Sequence, residues 1–469
     1  MAERMLRFVS LDQELPEKRP AEARAQDFHE IYANYLAEKA AAQASRCSQC
    51  GVPFCQVHCP LSNNIPDWLK LTAEGRIEEA YELSQSTNNM PEICGRICPQ
   101  DRLCEGNCVI EQSGHGTVTI GAVEKYLSDT AWAKGWVKPL KPRRARAEHI
   151  GIVGAGPAGL AAAEELRRKG YRVTVYDRHD RAGGLLIYGI PNFKLEKDVV
   201  QRRVQRLADG GIEFKLNFEM GRDATLDELR ARHDALFIAT GVYKPREIEA
   251  PGVNLGRVVA ALDYLIASNR KGFGEKLPAG FDAKNKKIAV IGGGDTAMDC
   301  VRTAMRQGAK SVSCIYRRDR DNMPGSLREV ANAEEEGIQF EWLTLPRAFL
   351  GQKNVEGVCL TRMRLGLPDA SGRKAPEEIK GADFTLDADL VIKALGFDAE
   401  AMPPELAVTR WGTLKTNASL TNLEGVFAGG DIVRGASLVV WAIRDGRDAA
   451  AAIHKYLESK AMPKLEAAE

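Results

Sequence analysis

The hydrophobic pattern of the chain changes near residue 149. Before that point, apolar residues recur at helical spacing, as in DFHEIYANYLAEKAAAQA (27–44) and DWLKLTAEGRIEEAYELS (67–84). After it, HIGIVGAGPAGLAAAEELRRKGYRVTVYD (149–177) is predicted to form a strand, a glycine turn, a helix and a second strand, and residues 286–318 repeat this unit. Because strands alternating with helices are typical of parallel sheets, the second part of the chain is predicted to be α/β.

Further apolar runs complete the predicted organisation. ALFIAT (235–240), DLVIKALG (389–396) and EGVFAGGD (424–431) each resemble a strand that ends in a turn, and the basic segment 134–148, which contains two prolines, is interpreted as a linker. We therefore predict two nested Rossmann-like dinucleotide-binding domains, preceded by a mainly α-helical domain. The expected boundaries are a helical domain at 1–145, a first nucleotide domain at 146–280 and 396–469, and a second at 281–395.

The first glycine fingerprint is Gly154-x-Gly156-x-x-Gly159, which follows a strand and opens a helix. Such glycines allow a tight turn, a close approach to a pyrophosphate and close packing of the helix on the strand. Asp177 ends the next strand, where an acid can accept hydrogen bonds from ribose hydroxyls. The fingerprint alone suits either FAD or NAD, but the later Gly429-Gly430-Asp431 strand end favours FAD.

The second fingerprint begins at Gly292 and has Ala297 in place of the third glycine. Arg317 and Arg318, rather than an acid, end the next strand. Because guanidinium groups suit a 2′-phosphate, the pattern favours NADPH over NADH. The residues expected to contact the two nucleotides are Gly154, Gly156, Pro157, Gly159, Asp177, Gly184, Leu185, Thr240, Gly241, Gly293, Gly294, Asp295, Thr296, Arg317, Arg318, Gly396, Gly430 and Asp431.

Eight of the eleven cysteines form two closely spaced runs within the helical part. The runs are Cys47, Cys50, Cys55 and Cys59, and then Cys94, Cys98, Cys104 and Cys108. Eight thiolates could hold two four-iron clusters or two zinc ions, and the neighbouring redox domains favour iron–sulfur clusters. Disulfide reductase chemistry is not expected, because RAGGLLIYGIP after the first fingerprint contains no cysteine pair.

Composition narrows the classes of partner. Lys plus Arg number 65 and Asp plus Glu 64, so the net charge of +1 favours neither nucleic acid nor an anionic membrane. No stretch has the roughly 20 apolar residues of a membrane span, and the first residues do not resemble an export signal. We therefore expect a cytoplasmic protein. No nucleophile–base arrangement is recognisable, so no catalytic side chain is predicted, and the cofactors are expected to carry the chemistry.

The motifs together are similar to those of a known family. Over essentially its full length the chain resembles the small (beta) subunits of bacterial NADPH-dependent glutamate synthases, and it also resembles the N-terminal half of dihydropyrimidine dehydrogenases. The matching segments are QASRCSQCGVPFCQVHCPLSNNIPDW, CGRICPQDRLCEGNC, VGAGPAGLAAAEELRRKG, GGLLIYGIP, GGGDTAMDC, IYRR and AGGD. The resemblance implies FAD, NADPH and two 4Fe–4S clusters.

The resemblance also implies a set of cluster ligands. One cluster would be held by Cys47, Cys50, Cys55 and Cys108, and the other by Cys59, Cys98, Cys104 and a fourth ligand. That fourth ligand is expected to be Glu124, which occupies the place of a ligating glutamine in the dehydrogenases; Cys94 is the alternative.

The resemblance further implies a partner. The expected partner is a large (alpha) subunit that carries FMN and makes glutamate from glutamine and 2-oxoglutarate, within a hetero-oligomer. One alternative is an NADPH:acceptor oxidoreductase that serves ferredoxin or a sulfur compound through a different partner. A zinc-bearing, nucleotide-binding regulator is the non-enzymatic alternative.

Overall fold

A computed structural model describes residues 4–368 and 374–461 of the chain. The first part is helical, as the sequence predicts, with two 3-10 turns at Arg7–Val9 and Gln100–Arg102. Its helices are α1 (Ala21–Arg24), α2 (Ala37–Ala44), α3 (Phe54–Val57), α4 (Ile65–Ala73), α5 (Ile77–Thr87), α6 (Pro91–Ile97), α7 (Val109–Gln112) and α8 (Ile120–Ala133).

The helical pattern over residues 27–44 is only partly realised. Helix α2 begins at Ala37, whereas the residues before it run alongside the N-terminal segment. The amide of Arg19 donates to the carbonyl of Ile31 at 3.0 Å, and the amide of Ala33 donates to the carbonyl of Glu17 at 2.9 Å. These contacts between separate segments replace the local hydrogen bonds of a helix while Ile31 stays buried.

A five-stranded parallel sheet follows, in the order β15 (Val426–Ala428), β4 (Ala235–Ile238), β1 (His149–Val153), β2 (Arg172–Tyr176) and β3 (Glu213–Lys215). The last strand in the sequence, β15, returns from the end of the chain to the edge of this sheet beside β4. The elements of this first module are β1 (His149–Val153), α9 (Pro157–Arg168), β2 (Arg172–Tyr176), α10 (Leu185–Tyr188), α11 (Lys197–Asp209), β3 (Glu213–Lys215), α12 (Leu226–Arg232), β4 (Ala235–Ile238), β15 (Val426–Ala428), α16 (Asp431–Arg434) and α17 (Val439–Ala461).

The second module is built on another five-stranded parallel sheet, in the order β6-β13-β7-β8-β9. Strand β6 pairs with β13, which places residues 258–260 in the second module, more than twenty residues before the predicted boundary at 281. We therefore propose that the second module begins just before β6. Its parallel-sheet elements are β6 (Val258–Ala260), α13 (Ala261–Gly272), β7 (Lys287–Ile291), α14 (Asp295–Arg306), β8 (Ser311–Tyr316), α15 (Leu327–Glu335), β9 (Gln339–Trp342) and β13 (Leu390–Lys393), with a 3-10 turn at Ala279–Phe281.

Two small antiparallel sheets accompany the nucleotide modules. Three long strands within the second module form one of them: β10 (Thr344–Gly351), β11 (Val355–Pro368) and β12 (Lys374–Asp387). Short strands β5 (Lys244–Pro245) and β14 (Phe397–Asp398) pair where the chain crosses between the modules. Within the described ranges, none of the helices has the length and apolar character that crossing a lipid bilayer requires.

Buried ion pairs join the helical part to both modules. Arg203 on α11 donates through two nitrogens to both oxygens of Glu92 on α6, at 2.6 and 2.8 Å, and both residues are fully buried. In the second module, Glu336 accepts from Arg24 of the N-terminal segment as well as from Arg302 and Arg306. Buried pairs of this kind fix relative orientation because separating them would leave charges without partners in an apolar interior.

Candidate functional site

The turn after β1 has the geometry that its glycines predict. Gly154 has a φ of +110°, and a Cβ added there would lie 2.2 Å from the carbonyl oxygen of Ala239. A Cβ on Gly159 would lie 1.9 Å from the carbonyl oxygen of Gly154, so the helix packs directly on the turn. In contrast, a Cβ on Gly156 would meet nothing within 4 Å. The backbone is therefore open to a ligand at Gly156, where a pyrophosphate approaches in this type of fold.

A cavity of about 340 Å³ lies between the two fingerprints and the helical part. Its wall includes most of the residues predicted to contact nucleotides, so the tertiary structure brings together positions that are almost 280 residues apart. The predicted residues on this wall are Gly154, Gly156, Pro157, Asp177, Leu185, Thr240, Gly241, Asp295, Thr296, Gly430 and Asp431.

Asp177 lies at the end of β2 and faces this cavity. Its two carboxylate oxygens accept from the amides of Ala155 at 2.7 Å and His179 at 2.8 Å, which fixes the side chain while leaving further acceptor positions. The hydroxyl of Thr240 is buried and has no hydrogen-bond partner among the residues that the structure describes. A buried hydroxyl without a partner is costly, so a polar ligand in the cavity would satisfy it. An open glycine, an anchored acid and an unpaired hydroxyl together fit FAD.

Gly430 and Asp431, which follow β15 in the C-terminal part of the chain, line the same cavity. Gly430 has a φ of +76°, which favours glycine, and Asp431 accepts from the hydroxyl of Ser437 at 2.8 Å. Burial raises the pKa of the Asp431 carboxyl. Gly184 also has a positive φ, and a Cβ on it would lie 2.8 Å from the Cα of Gly156. Gly184 therefore supports the phosphate turn from behind rather than lining the cavity.

The second fingerprint repeats the arrangement of the first. Gly292 has a φ of +141° and a Cβ there would lie 2.3 Å from the carbonyl oxygen of Ala394, whereas Gly294 is open. Gly293 packs against the ring of Tyr316, which leaves no room for a side chain. Asp295 and Thr296 begin α14 and reach the shared cavity. An open backbone at a helix N-terminus suits the phosphates of a dinucleotide, which fits NADPH.

Seven of the eighteen predicted nucleotide residues are not on the wall of this cavity. Four of them, Gly159, Gly184, Gly293 and Gly294, belong to the glycine turns described above, and the other three are Arg317, Arg318 and Gly396. Arg317 and Arg318 follow β8; Arg317 is exposed, and Arg318 donates to the carbonyl oxygen of Lys374 at 3.0 Å. Both remain next to the second fingerprint at the carboxyl edge of the sheet, where an adenosine phosphate would extend from α14. Gly396 has a φ of +98° and lies beside Arg246, where the chain crosses between the modules.

The first cysteine group contains the four thiols that the resemblance assigns to one cluster. These thiols are close enough to influence one another: although burial has the larger effect on both, Cys50 and Cys108 raise the pKa of Cys47, and Cys47, Cys50 and Cys108 raise the pKa of Cys55. Burial raises the pKa of Cys47 to about 11 and that of Cys55 to about 12. Without a metal centre the thiols of Cys47 and Cys55 are therefore neutral at pH 7, and binding of a metal centre would release their protons.

The second group surrounds a cavity of about 30 Å³. Its wall contains both candidates for the fourth ligand, since Glu124 and Cys94 lie there with Cys59, Cys98 and Cys104. Burial raises the pKa of Glu124 to about 8, and its carboxylate accepts from the amides of Asn88 at 3.1 Å and Asn63 at 3.3 Å. The asparagines, which the sequence did not single out, orient this carboxyl group.

Cys98 connects the two sites. It lines both the nucleotide cavity and the small cysteine cavity, so it stands between the first fingerprint and the second cysteine group. In the described part of the chain, no three cysteine, histidine, aspartate or glutamate side chains surround a point suited to a single metal ion. The donor sets are chemically suited to iron–sulfur clusters, because soft thiolates dominate both of them.

Sequence reasoning missed an ion-pair cluster on the wall of the nucleotide cavity. Lys194, from the segment after α10, donates to Asp299 of α14 at 2.9 Å and lies 3.5 Å from Glu329 of α15. The only signal available was that Asp299 lies one helical turn after Asp295 and shares its face. Nothing in the sequence indicated that Lys194 of the first module would reach it.

Family models cover nearly all of this architecture. Residues 24–136 match the model for dihydropyrimidine dehydrogenase domain II, 4Fe–4S cluster, and residues 148–446 match the model for pyridine nucleotide-disulphide oxidoreductases. The glutamate synthase (NADPH) small chain of Azospirillum brasilense is 65% identical over 470 residues, which cover 98% of each chain.

This chain belongs to the glutamate synthase small-chain family. It is an NADPH-dependent oxidoreductase whose cofactors are FAD and 4Fe–4S clusters, and the predicted fold class is confirmed. A second relative, the putative oxidoreductase AegA of Escherichia coli, is 46% identical over 462 residues that cover 95% of this chain and 70% of that protein.

Solved structures agree with the fold. Mycobacterium tuberculosis FprA in complex with NADPH superposes with a TM-score of 0.59 at 23% identity, over 67% of this chain and 86% of that one. At this identity the similarity describes only the arrangement of the two nucleotide modules.

Proposed function

We propose that this chain is the NADPH-oxidising subunit of a glutamate synthase and passes electrons to a large subunit that carries FMN. The observation that carries the proposal is the position of Cys98, which borders both the nucleotide cavity and the second cysteine group. Electrons that enter at the nucleotide cavity therefore have a short, buried route to the cysteine-rich part. In the proposed assembly the large subunit uses them to make glutamate from glutamine and 2-oxoglutarate.

The side chains of this protein bind and orient the cofactors. When bound, FAD exchanges a hydride with NADPH and 4Fe–4S clusters carry single electrons. Gly156, Asp177 and Thr240 would hold FAD in the first module, and Gly294, with Arg317 and Arg318, would hold NADPH in the second. We propose no acid, base or nucleophile among the side chains.

The cluster ligands follow from the two cysteine groups. Cys47, Cys50, Cys55 and Cys108 would hold one cluster; Cys59, Cys98, Cys104 and Glu124 would hold the other. Asn63 and Asn88 support Glu124, because their amides keep its carboxyl group turned toward the cysteine cavity. Cys94 instead lies within 3.8 Å of the Asn88 amide oxygen, so its thiol has a partner of its own.

A set of variants tests the ligand assignment. Glutamate synthase holoenzyme is purified anaerobically, and iron and acid-labile sulfide are measured for Cys98→Ser, Glu124→Ala and Cys94→Ser. Loss of about four irons is expected for the first two, and none for Cys94→Ser. Cys359→Ser is the matched control, because Cys359 lies on β11 outside the array. If Cys94→Ser lost a cluster and Glu124→Ala kept it, the fourth ligand would be Cys94.

The partner is tested by co-expression with a large chain of this enzyme class. The expected result is a hetero-oligomer that forms glutamate from glutamine and 2-oxoglutarate with NADPH. We propose that this assembly acts in the cytoplasm, without nucleic acid or membrane. A small chain that failed to bind the large chain and supported no glutamate formation would refute the assignment.

A second candidate is an NADPH:acceptor oxidoreductase with a different partner, such as ferredoxin or a sulfur compound. The relative AegA favours it, because a chain 46% identical to this one forms about two thirds of a protein named only as a putative oxidoreductase. Rapid NADPH-dependent reduction of ferredoxin, without glutamate formation in the presence of the large chain, would support this candidate.

A further inference from the structure

A short turn before α15 joins the second fingerprint to the cysteine-rich part without passing through the first module. On its inner side, the amide of Gly325 donates to the carbonyl oxygen of Gly293 at 3.0 Å. The amide of Ser326 donates to the carboxylate of Asp295 at 2.9 Å. The turn is therefore bonded to the same residues that begin the NADPH-binding helix.

The outer side of this turn is bonded to the segment that carries Cys98 and Cys104. The Ser326 hydroxyl donates to the Asp101 carboxylate, with oxygens at 3.1 and 3.2 Å. Arg102 donates to the carbonyl oxygen of Pro324 at 2.5 Å, and Arg328 donates to Glu105 at 3.2 Å. Three side chains thus link the second module to the residues between and beside two of the proposed cluster ligands.

The cysteine segment is too tightly packed to absorb a displacement at this contact. The carbonyl oxygen of Gln100 accepts from the amides of Leu103, Glu105 and Gly106 at 2.9–3.1 Å. A Cβ on Gly106 would lie 1.9 Å from the carbonyl oxygen of Asp101, so these backbones are in direct contact. The other oxygen of Glu105 accepts from the amide of Gly121 at 2.9 Å. A shift at Asp101 or Glu105 is therefore passed to the cysteines that flank them.

We propose that Asp101, Ser326 and Arg328 are positioning residues that couple NADP(H) occupancy of the second module to the cluster held by Cys98 and Cys104. A dinucleotide bound at Gly294 and Asp295 displaces the turn, and this displacement changes the hydrogen bonding and charge around the cysteine segment. Cluster potentials depend on these two quantities. The inference rests on the proposed function, because it takes the ligand assignment from there.

The coupling is reciprocal by thermodynamic linkage. If nucleotide binding shifts the cluster potential, the redox state of the cluster must shift the affinity for nucleotide by the same free energy. A threefold difference in the Kd for NADP⁺ between the two redox states corresponds to a potential shift of about 28 mV, at about 59 mV per factor of ten for one electron.

Two measurements on the holoenzyme test the coupling. The first is amide hydrogen exchange of residues 98–106 in the oxidised protein, with and without NADP⁺. The second is the potential of each cluster, followed by electron paramagnetic resonance with and without NADP⁺. We expect NADP⁺ to slow amide exchange of these residues at least threefold. It should also shift the potential of one cluster by at least about 28 mV, which is equivalent to a threefold change in Kd.

Variants separate this path from a general effect of binding. Ser326→Ala removes the hydroxyl of the turn and Arg328→Gln removes the guanidinium at the start of α15. In both variants the change in hydrogen exchange and the shift in cluster potential are expected to fall below the equivalent of 1.5-fold, while NADP⁺ still binds. Arg347→Gln is the matched control, because Arg347 pairs with Glu378 on the exposed antiparallel sheet of the same module. This control should retain the full response.

Either of two results overturns the inference: a wild-type protein whose residues 98–106 do not respond to NADP⁺, or a response that is unchanged in both variants. Failure of the proposed function has a different signature. If the protein contained no iron or sulfide, the ligand assignment would fail, whereas the hydrogen-exchange measurement would still decide whether the turn transmits nucleotide binding.

Discussion

Replacement of Glu336 by glutamine tests the buried charge cluster that attaches the N-terminal segment to the second module. The Glu336 carboxylate accepts from Arg24 at 3.0 Å, from Arg302 at 2.8 Å and from Arg306 at 2.6 Å, and all four side chains are almost fully buried. Glutamine keeps the shape of the side chain but removes the negative charge. Three buried guanidinium groups would then share no carboxylate at this position.

The structure gives the size of the effect in two ways. Burial alone would raise the pKa of Glu336, but hydrogen bonds from Arg306 and Arg302 hold it at about 2, against an ordinary value of 4.5. At about 1.36 kcal/mol per pKa unit, this difference contributes about 3 kcal/mol to the free energy of unfolding at pH 7. Breaking a buried ion pair independently costs about 3–5 kcal/mol. We therefore expect a loss of about 3 kcal/mol.

The effect has a defined pH dependence. Because the pKa in the folded protein lies below its unfolded value, the stabilisation is fully present above about pH 4.5 and is lost as pH falls toward 2. At pH 3 the stability advantage of the wild type over Glu336→Gln should shrink to less than half, about 1 kcal/mol, since protonated glutamate resembles glutamine. In thermal unfolding at pH 7 the loss corresponds to a fall in Tm of about 6–12 °C for a unit of 150–250 residues.

The assay compares urea and thermal unfolding of wild type and Glu336→Gln at pH 7 and pH 3. Glu334→Gln is the control, because Glu334 lies in the last turn of α15, two residues before Glu336, and pairs with Arg320 at 2.9 Å at the surface. This variant should change the free energy of unfolding by less than about 1 kcal/mol. A loss below 1 kcal/mol for Glu336→Gln at pH 7, or a loss that did not shrink at pH 3, would refute the reasoning.

Three further predictions concern the nucleotide sites and the attachment of the cysteine-rich part. Gly156→Val should lower the flavin content at least tenfold without changing the circular dichroism spectrum, because the valine side chain would occupy the space that Gly156 leaves open for the ligand. Gly280→Val is the control: Gly280 is also surrounded by open space, and this variant should keep its flavin. The double variant Arg317→Gln, Arg318→Gln should raise the KM for NADPH by roughly 10- to 100-fold, since hydrogen bonds to charged groups contribute about 1.5–3 kcal/mol to binding. An equal rise in the KM for NADH would contradict a role of these arginines at the 2′-phosphate. Arg203→Met should lower the free energy of unfolding by about 3–5 kcal/mol, because it leaves the buried carboxylate of Glu92 without its partner. The additional change Glu92→Met should restore part of this loss. Equal stability of the single and double variants in urea would exclude this explanation.

Local sterics explain why the nucleotide turns could be predicted from the sequence. Gly154 and Gly292 have positive φ values and lie against carbonyl oxygens. Only glycine fits at these two positions, so the sequence shows where the turns are. The alternation of strands and helices likewise predicted two parallel sheets, and this fold class is confirmed. The cysteine spacing indicated metal binding, because closely spaced thiols are a short-range signal.

Contacts between distant segments explain what could not be predicted. Residues 27–36 have a helical pattern but pair with residues 17–19, and the Val258–Ala260 strand joins the second sheet although the chain around it continues from the first module. The antiparallel sheet of β10, β11 and β12 was also not predicted, although its strands are consecutive in the sequence and each pairs with the next. Propensity is a weak local preference, and pairing with a partner far away in the sequence readily outweighs it.

The site shows the same division. Local sequence patterns were enough to identify two phosphate turns, eight clustered thiols and a pair of arginines after β8. Glu124 could be assigned to the second cysteine group through the family resemblance, whereas the contact of Lys194 with Asp299 and that of the Ser326 turn with Asp101 are visible only in the folded chain. The physical reason is that turns and spacings are set by neighbouring residues, whereas these contacts exist only after separate elements have packed together.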